Sequence, residues 1–111
     1  MSRRHRTDRR PRSQGAQIGP FVVVTTAHAL ARFFERFPKA SEWDTARAHR
    51  ILRMLALTGD DGKHAGQRHG RILWGDGTHT HCVVAIKRDP EHPRTIYITT
   101  VFDPMAPAEP A

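Results

Sequence analysis

The chain is poor in cysteine and has no long apolar run. Cys82 is the single cysteine among 111 residues, which excludes an internal disulfide. No stretch approaches the roughly 18 consecutive apolar residues that a membrane-spanning helix needs. The arginine-rich N-terminus lacks the apolar stretch of a secretory signal. We therefore expect a cytoplasmic protein with no membrane partner, in which Cys82 is a small buried strand residue rather than a nucleophile.

The sequence also lacks the usual metal-binding spacings. It contains neither Cys-x-x-Cys nor His-Glu-x-x-His. A zinc site is an alternative, because His79 and His81 would share a strand face and His64 and His69 flank a polar loop. Cys82, however, would point away from His81, which breaks the ligand set. We predict no metal and no cofactor.

Acidic residues are scarce relative to basic ones, and the excess is concentrated at the N-terminus. Lysine and arginine number 18 against 11 acidic residues, for a formal charge of +7. The first 13 residues contribute +5 of this through six arginines and Asp8. The arginines are Arg3, Arg4, Arg6, Arg9, Arg10 and Arg12. We expect residues 1–18 to form a disordered tail, with Arg3, Arg4 and Arg6 binding nucleic acid; a merely solvated tail is the alternative.

The first part of the remaining chain reads as one strand and two helices. Phe21–Val24 is short, apolar and β-branched, which favours a buried strand. Thr25 or Thr26 would cap a helix from about Ala27 to Phe37, which Pro38 ends. Ser41–Asp44 fits a capping box for a second helix that reaches about Leu57, with Gly59 as terminator.

The second part reads as a loop followed by a strand meander. Residues 59–70 are polar and glycine-rich, which predicts a loop. The predicted strands are Arg71–Trp74, Thr80–Arg88 and Thr95–Phe102. The order predicts an α+β domain over residues 19–104, with a short N-terminal strand and two helices packed on a three- to four-stranded antiparallel sheet. Residues 105–111 are expected to form a second disordered tail.

Both predicted helices have an apolar side and a basic side. On the first helix, His28, Arg32 and Arg36 stack at i, i+4 and i+8. Its opposite, apolar side consists of Leu30, Phe33, Phe34 and Phe37. On the second helix, Arg47, Arg50 and Arg53 repeat on the outside as candidate nucleic-acid contacts. The apolar side predicted for it consists of Ile51, Leu52, Met54, Leu55 and Leu57.

These features together resemble a known group of bacterial proteins. The phrase from Val24 to Arg36, the helix pair and the closing strand Thr95–Phe102 are similar to the RelE/ParE-like superfamily and the wider BECR group of ribonuclease toxins. The similarity covers about residues 20–103. The resemblance implies a RelE-like fold and a metal-independent endoribonuclease activity in many members, gyrase inhibition in some, and no known activity in others. It also implies an acidic antitoxin or immunity partner.

The residues provide a candidate site for such a cleavage. Histidine titrates near neutral pH, so His28 is the first candidate for the general acid or base. Arg32 and Arg36 would hold the phosphate through their planar guanidinium groups. By resemblance, a hydroxyl on the last strand completes the site; Thr99 or Thr100 stands there, and we expect only one of them to face the helices. His81 and His69 are reserve candidates for the second proton transfer.

Plainer interpretations of the same residues stay open. His28 could cap or pack at a helix start, and Arg32 and Arg36 could be solvated surface residues. Tyr97 could stack on a base or only cover the sheet. We therefore predict a small basic protein that targets RNA or the ribosome, as a toxin-type endoribonuclease. The alternative is a non-catalytic nucleic-acid or ribonucleoprotein binding module on the same fold.

Overall fold

A computed structural model of the chain describes residues 12–62 and 64–104. The strands are β1 Gln14–Ile18, β2 Phe21–Thr25, β3 Asp60–Asp61, β4 Gln67–Leu73, β5 His79–Arg88 and β6 Thr95–Phe102. The helices are α1 Ala27–Arg36 and α2 Thr45–Thr58, with a 3₁₀ turn at Pro38–Ala40 between them. The predicted nucleic-acid contacts Arg3, Arg4 and Arg6 lie outside the described residues, as does the predicted tail 105–111.

Two helices pack on a six-stranded mixed sheet with the strand order β1-β2-β6-β5-β4-β3. This confirms the α+β class, whereas the prediction of a three- to four-stranded antiparallel sheet is wrong. The last strand inserts beside β2 and runs parallel to it, with Thr25 opposite Ile98. All other neighbouring strands are antiparallel. The first and last long strands therefore meet near the middle of the sheet.

The additional strands come from segments that looked too polar to be strands. Gln14–Ile18 was predicted to belong to the tail but pairs with β2 as an edge strand, through a turn at Gly19 with φ +58°. The predicted loop 59–70 contains β3 and the beginning of β4. An edge strand pairs on one side only and is exposed, so it needs no apolar run. Because β1 begins at Gln14, the tail predicted for residues 1–18 extends too far toward the C-terminus.

Each helix begins at a side-chain cap. The Thr26 hydroxyl accepts from the Ala29 amide at 3.2 Å at the start of α1. The Asp44 carboxylate accepts from the Arg47 amide at 2.8 Å at the start of α2. The capping box predicted from Ser41 is wrong, because the Ser41 amide instead donates to the Pro38 carbonyl at 3.0 Å within the 3₁₀ turn. The predicted end of α2 is right to within one residue, with Gly59 at the cap.

The core lies between the helices and one face of the sheet. Phe33 is fully buried, and its ring centroid lies 5.8 Å from that of Trp43, which in turn lies 5.2 Å from Trp74. On α2 the buried residues are Ala48, His49, Leu52, Leu55 and Ala56. Met54, predicted to be apolar core, is 53% exposed. No helix in the described ranges combines the length and apolar character needed to cross a membrane.

Candidate nucleic-acid interface

The start of α1 is attached directly to the last strand. The Thr26 amide and the Thr26 hydroxyl both donate to the Ile98 carbonyl, at 3.2 and 2.8 Å. Because β2 ends at Thr25, opposite Ile98, the chain enters α1 at the point where β6 continues to Thr99. The first helical turn therefore lies beside Thr99 in the fold. His28 is exposed in that turn.

The last strand contains a β-bulge at this point. Ala85 pairs with Thr100 and Ile86 pairs with Ile98, so Thr99 is one extra residue on β6. The Thr99 hydroxyl donates to the Ala85 carbonyl at 3.3 Å. Bulges bend a strand and change the direction of nearby side chains, and they are frequent next to active sites. The predicted hydroxyl position is thus an irregular point of the sheet.

The bulge places Thr100 on the face of the sheet opposite the helices. Val84 and Ile86 pack toward the core, so Ala85 between them points away from it, as does its partner Thr100. We call this side the open face. By strand alternation and register it includes Gln67, His69, Arg71, His81, Val83, Ala85, Lys87, Tyr97, Thr100 and Phe102. Of the two threonines of which we expected only one to face the helices, Thr100 therefore faces away from them.

Three arginines predicted to hold the phosphate (Arg32, Arg36) or to contact nucleic acid (Arg47) make interactions within the protein. Arg32 forms an ion pair with Glu35, with 2.6 Å between Nη1 and Oε1. The Arg47 guanidinium carbon lies 4.2 Å from the centroid of the Trp43 ring. Arg36 is half-buried and also takes part in an interaction.

Arg53 contradicts the prediction of an exposed arginine stripe on α2. Arg50 is exposed, but Arg53 is half-buried and donates from Nη2 to the Gln14 side-chain oxygen at 2.7 Å. Burial lowers the pKa of Arg53 from its ordinary value. Arg53 therefore connects α2 to the edge strand β1, a contact that helical spacing cannot indicate because it depends on where β1 lies.

His81 is not brought to the bulge. It is exposed on β5 opposite Arg71, four residues before Ala85. At the strand rise of about 3.3 Å per residue, this puts it about 13 Å along the strand from the Ala85–Thr100 pair. His69 lies nearer, opposite Val83. The reserve role predicted for His81 would therefore require it to act at a distance from Thr99.

A pocket on the open face contains residues that the sequence prediction did not combine. It has a volume of about 240 Å³ and is lined by His64, Gln67, Val83, Phe102 and Pro104. Gln67 pairs with Ala85, the partner of Thr100, so the pocket lies next to the bulge. From the sequence, His64 was a candidate only as a zinc ligand. Its place could not be found without knowing that β4 begins at Gln67 instead of Arg71.

Two titratable side chains are buried on the helix-covered side. His49 is 2% exposed, and its Nδ1 has no hydrogen-bond partner among the residues described. Burial, and then the nearby Arg53 charge, lower the pKa of His49 to about 4. Cys82 is fully buried, as predicted. Burial, and then the Asp103 carboxylate, raise the pKa of the Cys82 thiol to about 12, so its reactive thiolate form is suppressed.

Tyr97 is half-buried on the open face, and its hydroxyl donates to Asp89 at 3.3 Å. Within the described ranges, no three His, Cys, Asp or Glu side chains lie close enough together to hold a metal ion. The surroundings of the bulge thus consist of Thr99 and Thr100, with His28 in the nearby first turn of α1 and the pocket of His64 and Gln67 on the open face. Comparison with protein-family models, curated protein sequences and solved structures found nothing that matches the chain.

Proposed function

We propose that the chain is a small RNA-targeting protein of RelE-like fold that cleaves RNA without a metal ion. The element order supports this proposal: a strand leads directly into an amphipathic helix with His28 in its first turn, and the last long strand lies beside the first. RNA or the ribosome is the proposed target, and the cytoplasm the proposed location. An acidic antitoxin or immunity protein is the proposed partner, because the chain carries a formal charge of +7.

One observation carries the catalytic part of the proposal. Both polar groups of Thr26 bind the Ile98 carbonyl, which fixes the α1 start against the strand that contains Thr99. His28 therefore extends from a rigid attachment beside the bulge. A general acid or base must be held within hydrogen-bond reach of the group it serves. The α1 start and the bulge supply such a support.

The chemistry is an internal phosphoryl transfer. A base removes the proton from a ribose 2′-hydroxyl, and that oxygen attacks the adjacent phosphorus. The bond from phosphorus to the 5′-oxygen then breaks, and an acid protonates the departing oxygen. The products are a 2′,3′-cyclic phosphate and a 5′-hydroxyl. We assign one proton transfer to His28, with solvent water exchanging the other proton, and Thr99 on the neighbouring strand would help to position the phosphate.

The test is RNA cleavage in a buffer that contains EDTA. Wild-type protein should produce fragments with cyclic phosphate ends, and His28→Ala should lower the rate by about 10²- to 10⁴-fold, the usual contribution of one general acid or base. Binding of RNA by His28→Ala should stay near wild type. His92→Ala is the matched control, because His92 is exposed in the β5–β6 connection, at the other end of β6 from Thr99. Equal loss in both variants would contradict the assignment.

A non-catalytic binding module is the second candidate, and two observations favour it. Arg32 is engaged in a surface ion pair with Glu35, and His81 lies about 13 Å along its strand from the Ala85–Thr100 pair. The predicted catalytic set is therefore incomplete around Thr99. If wild-type protein binds RNA with a strong salt dependence but produces no fragments in EDTA, the binding module is the correct function.

A further inference from the structure

The two edges of the sheet differ in how they are protected. Among the described residues, the sheet ends at β3 on one side and at β1 on the other. β3 is only two residues long, both of them aspartates, and Asp61 pairs with Arg68 at 2.8 Å. β1 has five residues with no charge and no proline, and it pairs with β2 without a bulge. Short strands, charges, prolines and bulges are what keep a sheet edge from pairing with a further strand, so β1 is an unprotected edge.

Gly15 and Gln17 direct their backbone hydrogen-bonding groups away from the sheet. The Val22 amide donates to the Arg94 carbonyl at 2.9 Å, on the β6 side and away from β1. Its register partner Gln17 therefore belongs to a non-hydrogen-bonded pair, and by alternation so does Gly15, the partner of Val24. The amides and carbonyls of these two residues point outward from β1. A second extended backbone carries acceptors and donors at the matching spacing, so it is the group that this row selects.

The edge is held in place at its N-terminal end by two side-chain hydrogen bonds. The Arg53 guanidinium donates from Nη2 to the Gln14 side-chain oxygen at 2.7 Å. The Ala27 amide, at the start of α1, donates to the Ser13 hydroxyl at 2.9 Å. A strand that is already fixed loses little conformational freedom when another strand pairs with it. β1 is therefore preorganised for pairing.

Gly15 leaves the open face uncovered next to β2. It lies opposite Val24, and a Cβ atom at position 15 would stand 3.2 Å from a methyl group of Val24. A glycine inside a strand often marks the close approach of another backbone. Because Gly15 has no side chain, an apolar side chain of an incoming strand has space to lie over the glycine against Val24.

The charge around β1 is positive. Arg12 is exposed just before β1, and residues 1–13 carry +5 of the formal charge of +7. Arg50 is exposed on α2, one turn before Arg53, which contacts β1. The strands β1 and β2 contain no acidic residue. An incoming strand is therefore favoured when carboxylates flank it.

We propose that β1 receives an extended acidic segment of another protein as an additional strand of the sheet. The segment pairs through its backbone with Gly15 and Gln17 and places an apolar side chain over Gly15. Its flanking carboxylates lie toward the positive charge that precedes β1. This inference rests on the acidic partner of the proposed function and adds where, and in what conformation, that partner binds. It does not depend on RNA cleavage.

The experiment measures binding of a short fluorescein-labelled peptide to the full chain by anisotropy. The peptide alternates valine and threonine between flanking glutamates. Gln17→Pro removes an outward amide without removing a bond to β2, and it should weaken binding by about tenfold. Gln17→Ala is the matched control, because it keeps that amide, and it should change binding by less than about twofold. The same peptide with its central amides N-methylated should bind the wild-type chain as weakly as the parent peptide binds Gln17→Pro.

Two further peptides separate strand pairing from charge. One has glycine and serine in place of valine and threonine, carries the same charge, and should bind about tenfold more weakly because it disfavours an extended strand. The other has lysines in place of glutamates and should not bind. Tight binding of the lysine peptide would overturn the acidic character of the partner.

Equal binding by Gln17→Pro and Gln17→Ala, or of the two acidic peptides, would overturn strand pairing and leave an acidic partner in place. If neither acidic peptide binds, the acidic partner of the proposed function fails as well, whereas RNA cleavage in EDTA is judged separately. A wild-type dimer that Gln17→Pro dissociates would also overturn the proposal, since the edge would then pair with a second copy of the chain.

Discussion

The two faces of the sheet carry different chemistry although they share the same strands. The covered face holds Cys82, which is fully buried, and the helices that pack on it contribute Phe33 and the polar His49, which are 0% and 2% exposed. The open face holds exposed His81 and half-buried Tyr97 and Thr100. Alternating residues of a single strand, such as Cys82 and Val83, thus belong to different environments. The difference separates residues that stabilise the fold from residues that are available to a ligand.

The largest expected contrast between the faces is in thiol reactivity. A pKa raised from 9.0 to about 12 lowers the thiolate fraction of Cys82 by about a thousandfold at a given pH. The wild-type thiol should react with iodoacetamide at least that much more slowly than the thiol introduced by Val83→Cys in a Cys82→Ala chain. Mass spectrometry of timed samples measures both rates. Similar alkylation rates for the two thiols would show that positions 82 and 83 of β5 do not point to opposite faces of the sheet.

The next contrast concerns stability. Phe33→Ala should lower the free energy of unfolding by about 3–5 kcal/mol, because it leaves a cavity in the aromatic cluster. Phe102→Ala removes the same ring from a partly exposed position on the open face and should cost less than about 1.5 kcal/mol. Urea unfolding measures both values. Equal losses of unfolding free energy in the two variants would mean that Phe102 on the open face is covered in solution.

The third contrast concerns pH. The His49 pKa is lowered from 6.5 to about 4 in the folded protein, so the folded state disfavours its protonated form. Above pH 6.5 the His49 side chain is neutral in both the folded and the unfolded state, so its titration should not affect stability there. As pH falls from 6.5 to 4 the unfolded state binds the proton first, so stability should decrease by on the order of 3 kcal/mol, since one pKa unit corresponds to about 1.4 kcal/mol.

His49→Gln should flatten this slope, and His92→Gln, at an exposed position in the β5–β6 connection, should leave it unchanged. Urea midpoints at pH 7, 6, 5 and 4 measure the slope in each variant. An unchanged slope in His49→Gln would assign the pH dependence to other groups.

The sequence allows most of the covered face to be predicted but little of the open one. The apolar stripe of α1, the burial of Cys82 and the β6 limits follow from local periodicity and composition. On α2 the buried stripe includes Ala48, His49 and Ala56, because small residues let the helix approach the sheet, while Met54 turns outward. Hydropathy alone favours Met54 over His49, so the predicted stripe is right for Leu52 and Leu55 but wrong for Met54.

Long-range pairing explains what could not be predicted. The bulge at Thr99 exists only relative to β5, and the nearness of His64 to Phe102 depends on where β4 begins. The parallel contact of β2 with β6 joins segments more than 70 residues apart, as the Thr26–Ile98 bond at a separation of 72 shows. His81 and Thr99, which we expected in one site because both were predicted on neighbouring strands, are therefore separated by the register of β5 and β6.

That same long-range contact determines when the protein can fold during synthesis. β6 stands between β2 and β5, so until Thr95–Phe102 leaves the ribosome the sheet consists of two separate halves. Closing a chain loop of this length has an entropic cost that precedes any contact across it, which makes folding slow and late. The attachment of α1 to Ile98 forms at the same moment. A nascent chain should therefore have no assembled site until Thr95–Phe102 has emerged.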